Sequence, residues 1–161
     1  DNLWDGLGAI ILDNHHLKYL FGKVTMYPHF NQKARNMILY FLKKHFDDPD
    51  RMVLPLEPAD IDLHEDEMKK IFRGWRYKDN YKILSREVRN LDENIPPLIN
   101  AYMNLSPTMR TFGTFINHKF GNVEETGIMI TLRDIYIEKI NRHLASYKKD
   151  FLITWFSHKD Q

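Results

Sequence analysis

No cysteine occurs among the 161 residues, which removes thiolate nucleophiles, cysteine-based zinc sites and disulfide chemistry in one step. An excess of charge of one sign is missing too: 23 Lys and Arg stand against 22 Asp and Glu, and the pI is near 8.1. Nucleic-acid binders make their phosphate contacts with a clear surplus of basic residues, so no nucleic-acid partner is expected. No run approaches the roughly 20 apolar residues of a membrane-spanning helix, and no basic segment leads into an apolar stretch at the start. Neither such a helix nor a signal peptide is expected. A Gly-rich phosphate loop, a Gly-x-Ser-x-Gly elbow and a His-Glu-x-x-His zinc helix are also absent, and no metal site is expected.

What is present is a chain with 43% apolar or aromatic residues, enough for one domain with one core that buries about 70% of its unfolded surface. Leu3, Trp4, Leu7, Ile10 and Ile11 recur at helical spacing, and Asp13-Asn14 supply a stop. Lys18 to Met26 is rich in β-branched and aromatic residues and reads as a strand ending at Tyr27-Pro28. Asn31 caps a helix whose broad apolar stripe runs through Ala34, Met37, Ile38, Phe41, Leu42 and His45. Met52 to Leu56 is expected as a short strand limited by its proline. An acidic patch follows, Glu57 to Glu67, and its last part, answered by Lys69, Lys70 and Arg73, suits a short helix better than a metal site.

Tyr77, Tyr81, Leu84, Val88 and Leu91 alternate by four and three, so a helix from Tyr77 to Leu91 turns one side to the core. Beside them runs a basic row, Lys78, Lys82, Arg86 and Arg89. It is a solvated face or a docking surface for an acidic carrier or anionic headgroups. Asn94 is expected to cap a helix with prolines in its first turn, Ile95 to Leu105. Met109 to Ile116 and Ile128 to Leu132 read as strands joined by a polar loop, Asn117 to Gly127. A final helix, Asp134 to Tyr147, leads to the apolar tail Phe151 to Phe156. The pattern is α/β (α+β): a mixed sheet flanked by helices in a single unit, 1–161. The chain opens on Asp1, not Met, and is expected to be a piece of a longer protein.

Of the eight histidines, His45 lies on an apolar helix face and His15-His16 at a helix end; both read as structural. The polar loop carries more, because it concentrates Asn117, His118, Asn122, Glu124 and Glu125 between two apolar strands, and loops on a rigid sheet are where reactive groups sit. A glutamate there, its pKa raised by partial burial, would take a proton from an amine nucleophile.

Trp4 to Gly8, the run Lys18-Tyr-Leu-Phe-Gly22 closing at Pro28, and above all Ile95-Pro-Pro-Leu-Ile-Asn-Ala-Tyr102 carry a resemblance. From about Trp4 to about Leu144 the sequence resembles the N-acyltransferases that begin ornithine-lipid and glycine-lipid synthesis, whose bacterial members often bear the label hemolysin. The resemblance implies the C-terminal half of a Gcn5-related N-acyltransferase fold, in which Tyr19 to Met26 follows the thioester-binding strand. That strand, and the phosphate-receiving loop at a helix N-terminus, would lie in a missing N-terminal half. It also implies transfer of a 3-hydroxy fatty acyl group from acyl carrier protein to the α-amine of an amino acid, ornithine or glycine. No covalently bound cofactor is implied; the acyl carrier thioester is the co-substrate. In the polar loop the family's Phe-Asn-Thr-x-Asp run is replaced by Phe120-Gly-Asn-Val-Glu-Glu-Thr-Gly127.

Under this resemblance Glu124 or Glu125 is the base, and Tyr27 or Tyr102 protonates the departing thiolate. Arg110 and Asn117 hold the amino-acid carboxylate, since a guanidinium grips that planar anion with two hydrogen bonds. Lys78, Lys82, Arg86 and Arg89 dock the carrier protein or a membrane. A hydroxyl acceptor activated by a His-x-x-x-x-Asp pair is not expected. The implied location is cytoplasmic, peripheral to the inner face of the membrane. The alternative is a non-catalytic module, membrane-peripheral or pore-related, attached through the basic row and the apolar tail.

Overall fold

The computed structural model describes residues 8–136, apart from 12 and 15, together with 139. Three strands form one sheet in the order β1-β3-β2: β1 is Tyr19–Met26, β2 is Arg110–Asn117 and β3 is Val123–Thr131. The class is α/β, as the sequence implies. Both pairings are antiparallel, so the parallel pairing of the expected mixed sheet does not occur among the described residues. No described strand lies on the outer edge of β1 or on that of β2. Two backbone hydrogen bonds join β2 to earlier segments: the Ala59 N–H donates to the Thr114 carbonyl at 2.8 Å, and the Thr111 N–H donates to the Phe46 carbonyl at 2.7 Å.

Four helices follow in chain order: α1, Gln32–His45; α2, Glu65–Ile71; α3, Tyr77–Arg89; and α4, Pro97–Met103. Asn31 caps α1 as expected, its Oδ1 accepting from the N–H groups of Lys33 and Ala34. Lys43, Lys44 and His45 occupy the last turn, where cations meet the negative end of the helix dipole. The apolar stripe of α1 is buried from Ala34 to Leu42 and joins Val24, Met26, Ile128 and Ile130 in the core. These four sheet residues share one face by register and alternation, so α1 covers that face. On the other face Tyr19 and Phe21 stay exposed, with Phe21 stacked on Phe112 at 6.3 Å between ring centroids. No helix among the described residues is long and apolar enough to cross a membrane.

Several boundaries differ from those read off the sequence. Met52 to Leu56 is not a strand: Pro55 interrupts it, and the Met52 and Val53 N–H groups are taken by the Asp48 carboxylate instead of a neighbouring strand. The cap of α4 is Pro96, not Asn94, and α4 ends at Met103. The polar loop is shorter than expected, because β3 begins at Val123 and takes Glu124 and Glu125 into the sheet. What remains is a one-turn helix, His118–Phe120, followed by Gly121 and Asn122, both left-handed at φ of 67° and 56°. Such a pair reverses the chain within two residues, and glycine adopts the conformation at no steric cost. Asp134 closes a one-turn helix, Leu132–Asp134, and Ile135 after it is extended, so no helix starts at Asp134. Residues 8–11 are helical, in line with the first expected helix. Residues 1–7, most of the final helix and the apolar tail lie outside the described residues.

Candidate active site

Glu124 and Glu125 are consecutive in a strand and therefore point to opposite faces of the sheet. On the α1 side, Arg35 reaches Glu124 Oε1 at 2.5 Å, and both side chains are less than one-fifth exposed. Arg35 Nε donates to Asn36 Oδ1, and Asn36 Nδ2 donates to the Asp62 carbonyl, so the guanidinium is held from two directions. Glu124 Oε2 is buried and accepts no hydrogen bond within the described residues. A carboxylate with one oxygen anchored on a cation and the other free is suited to receive a proton from a third group.

On the far face, both oxygens of Glu125 accept from Lys23 Nζ, at 2.7 and 2.8 Å. The Glu125 side chain is only 3% exposed, whereas that of Lys23 is 55% exposed. With both oxygens committed to one ammonium, Glu125 has less capacity for an incoming amine than Glu124. Arg35 was not singled out from sequence. The signal was there only as a cation on the flank of a buried helix stripe, and nothing local says that a glutamate 89 residues away would meet it.

The two tyrosines differ. Tyr27 is exposed just past the end of β1, stacked on His29 at 5.8 Å, and it directly follows Met26, the register partner of Glu124. Tyr102 is half-buried on α4 against Gly22 of β1, and burial pushes its hydroxyl pKa up, which keeps it protonated.

Arg110 and Asn117 are not brought together. They begin and end β2, seven residue steps or roughly 23 Å apart along an extended strand, so they cannot hold one carboxylate between them. Each also has a structural partner. Arg110 Nη1 donates to Asp48 at 2.9 Å and to Asp50 at 2.5 Å, and these bonds raise its pKa. Asn117 Oδ1 accepts from the Lys119 N–H and caps the turn at His118–Phe120. The expected joint role of the two fails on that separation.

Lys78, Lys82, Arg86 and Arg89 are all exposed along α3. Arg86 is paired with Glu87 at 2.8 Å; Lys82, Arg86 and Arg89 border a surface depression of about 370 Å³ together with Tyr81, Ser85 and Asn90. His45 and Asp50 do stand at His-x-x-x-x-Asp spacing, contrary to the expectation that no such pair occurs. The fold separates them by function: His45 Nε2 faces Asn80 Nδ2 at 3.0 Å, while Asp50 accepts from Arg110. No group of three or more His, Asp or Glu among the described residues is arranged to hold a metal ion.

The chain is 53% identical over 147 residues to a protein of Bacteroides thetaiotaomicron named glycine N(alpha)-acyltransferase, a stretch that is 91% of this chain and 44% of that protein. It is 52% identical over 149 residues, 92% of this chain and 46% of the relative, to a protein of the same name from Phocaeicola vulgatus. No family model and no solved structure matches the chain. The chain is thus related to N-acyltransferases, and it spans less than half the length of the curated relatives it matches.

Proposed function

We propose that this chain is part of an N-acyltransferase that transfers an acyl group from a thioester to the α-amine of glycine. The observation that carries this reading is the 53% identity over nine-tenths of the chain to a protein named for that activity. The donor in this reading is a 3-hydroxy fatty acyl group on acyl carrier protein, the acceptor is glycine rather than ornithine, and the site of action is the cytoplasm at the inner membrane face. The outer edge of β1, on which no strand lies among the described residues, supports a Gcn5-related architecture in which a thioester-binding strand from an N-terminal half lies beside it.

The chemistry asks for a neutral amine, a polarised carbonyl and a proton for the departing thiolate. Glu124, anchored through Oε1 on Arg35, takes a proton from the glycine ammonium at Oε2, which accepts no hydrogen bond among the described residues. The amine then attacks the thioester carbonyl, the C–N bond forms, the C–S bond breaks, the thiolate receives a proton from a tyrosine, and the tyrosinate so formed takes the second proton lost by the nitrogen as the amide forms. Tyr27 is next in sequence to the register partner of Glu124, and Tyr102, protonated through burial, is the second donor in reach of β1. The exposed cations of α3, Lys78, Lys82, Arg86 and Arg89, suit the acidic surface of a carrier protein, an attraction that weakens with salt.

The test is made on the complete protein, with acyl carrier thioester and glycine, reading amide product by mass spectrometry. Wild type forms the amide, and Glu124→Gln lowers kcat by about 10²–10⁴. No amide from wild type overturns the reading, and wild-type turnover by Glu124→Gln overturns Glu124 as the base.

A further inference from the structure

The ion pair of Arg35 and Glu124 is satisfied from one side only. A guanidinium carries five N–H donors, and among the described residues those of Arg35 serve two acceptors, Glu124 Oε1 through Nη1 and Asn36 Oδ1 through Nε. Glu124 in turn has Oε2 without a hydrogen bond. The pair thus offers spare donors on its cation and a spare acceptor on its anion, side by side. Glu125, by contrast, spends both oxygens on Lys23, and Arg110 is shared between two aspartates. Nor is the pair sealed off, since the side chains of Arg35 and Glu124 stay 16% and 18% exposed. No nitrogen of Arg35 is both buried and without a partner, so its spare N–H groups face accessible space. Oε2 itself is covered, but the last torsion of a glutamate is soft, and a slight turn of the carboxylate presents it to an incoming ammonium.

The surroundings suit a small ligand that carries both charges. Arg35 lies in the first turn of α1, where the positive end of the helix dipole favours an anion. Its guanidinium is held from behind, because Asn36, 5% exposed, accepts from Nε and donates to the Asp62 carbonyl at 3.0 Å. Met26 and Ile116 are the register partners of Glu124 on its two sides, which makes the floor beside the pair apolar. An α-amino acid holds its nitrogen and its carboxylate carbon about 2.5 Å apart, both bonded to one carbon. Laid against Arg35 and Glu124, whose charged groups meet at 2.5 Å, it sets each of its charges beside the opposite one. We propose that Arg35 and Glu124 form a zwitterion clamp: Glu124 Oε2 receives the amino-acid ammonium, and the spare N–H groups of Arg35 hold its carboxylate. The proposal rests on the acyl-transfer reading and deepens it, giving Arg35 the role that Arg110 and Asn117 do not fill. The acceptor class is then the free α-amino acid. It brings no net charge to a largely buried pair, whereas an amine without the carboxylate brings one that nothing balances.

Glycine and glycinamide test this, because they share the amine and differ in the carboxylate. The complete protein and its Arg35→Met, Arg35→Lys and Glu124→Gln variants are assayed with acyl carrier thioester and either acceptor. Binding of the two acceptors is followed by calorimetry, and folding by circular dichroism. A hydrogen bond to a charged group is worth about 10- to 100-fold, so wild type prefers glycine by that factor in kcat/KM and in affinity. The preference disappears in Arg35→Met and is intermediate in Arg35→Lys, whose ammonium lacks the planar fork. Glu124→Gln slows both acceptors and retains the preference, because the guanidinium remains. If Arg35 served only to position Glu124, Arg35→Met would slow both acceptors equally and leave the preference as in wild type. That result overturns the proposal, as does equal binding of glycine and glycinamide by wild type. Where Arg35→Met does not fold, an unchanged preference in Arg35→Lys overturns it likewise. Failure of the acyl-transfer reading is distinguishable: wild type then makes no amide from either acceptor, while the binding preference still decides the clamp.

Discussion

Gly22 lies beneath the ring of Tyr102: a Cβ at Gly22 would stand 2.5 Å from the Tyr102 hydroxyl oxygen and 3.2 Å from its Cζ. The glycine, paired with Ile128 across the sheet, lets α4 approach β1 with nothing between backbone and ring. Gly22→Ala is expected to destabilise the fold by about 1–3 kcal/mol through overpacking, read as a lower denaturant midpoint. Adding Tyr102→Phe removes the nearest atom and recovers part of that loss, so the two changes are not additive. Independent, additive effects would show that the contact is not what constrains position 22.

Lys23 holds an almost fully buried carboxylate from the solvent side, and the attraction is unequal in consequence. Lys23→Met leaves both oxygens of Glu125 without their cation, a loss of about 1–3 kcal/mol for the unsatisfied group. The double variant Lys23→Met/Glu125→Leu removes the stranded charge as well and regains much of the stability. Chemical denaturation of the three proteins measures this, and a double variant no better than Lys23→Met contradicts it.

How much of this was legible in sequence follows from the range of the interactions. Helix α1 was readable because its stripe, its Asn31 cap and its terminal lysines are all local signals, and α3 because its apolar steps alternate by four and three. The basic row on α3 was placed correctly on an exposed face for the same reason. By contrast, Glu124 and Glu125 look like loop residues until a partner for each is known, and those partners, Arg35 and Lys23, come from other elements. The commitment of Arg110 to Asp48 and Asp50 was hidden likewise, since the bonds cross 62 and 60 residues. Helical periodicity reports which side of an element is buried; it carries no information on which charge will be met there.

The Arg110 bonds have a consequence at acid pH. Burial alone would push the Asp48 carboxyl up, but hydrogen bonds from Arg110 and from the Met52 and Val53 N–H groups outweigh it and hold the pKa below the usual value of 3.8. A depressed carboxyl stabilises the fold above its unfolded pKa, and that contribution is lost as pH falls through the folded value. Asp48→Asn is therefore expected to be less stable than wild type at neutral pH, with the gap closing below about pH 4. In Arg110→Met the Asp48 pKa, followed by carbon-13 NMR of the carboxyl, rises. A gap that persists unchanged into acid would argue against the ion pair as its source.

His45 supplies the opposite case, a cationic group kept neutral. Burial lowers its pKa first, and the Lys44 ammonium adds to that. Geometry agrees: both N–H groups of the Asn80 amide are donated, one to the Gly74 carbonyl and one to His45 Nε2, while Asn80 Oδ1 accepts from the Gly74 N–H. His45 Nε2 must accept, which places its proton on Nδ1. In the unfolded chain the ring titrates near 6.5, so between that value and the lower folded one the unfolded state binds more protons and stability falls as pH falls. The stability is complete above about pH 6.5 and declines below it. His45→Gln, which cannot titrate, should flatten the fall in thermal midpoint between about pH 7.5 and 5.5, and nitrogen-15 NMR of wild type should find the Nδ1–H tautomer at neutral pH. Equal slopes in the two proteins, or a ring protonated at Nε2, would refute the assignment of His45 as a buried acceptor locked to Asn80.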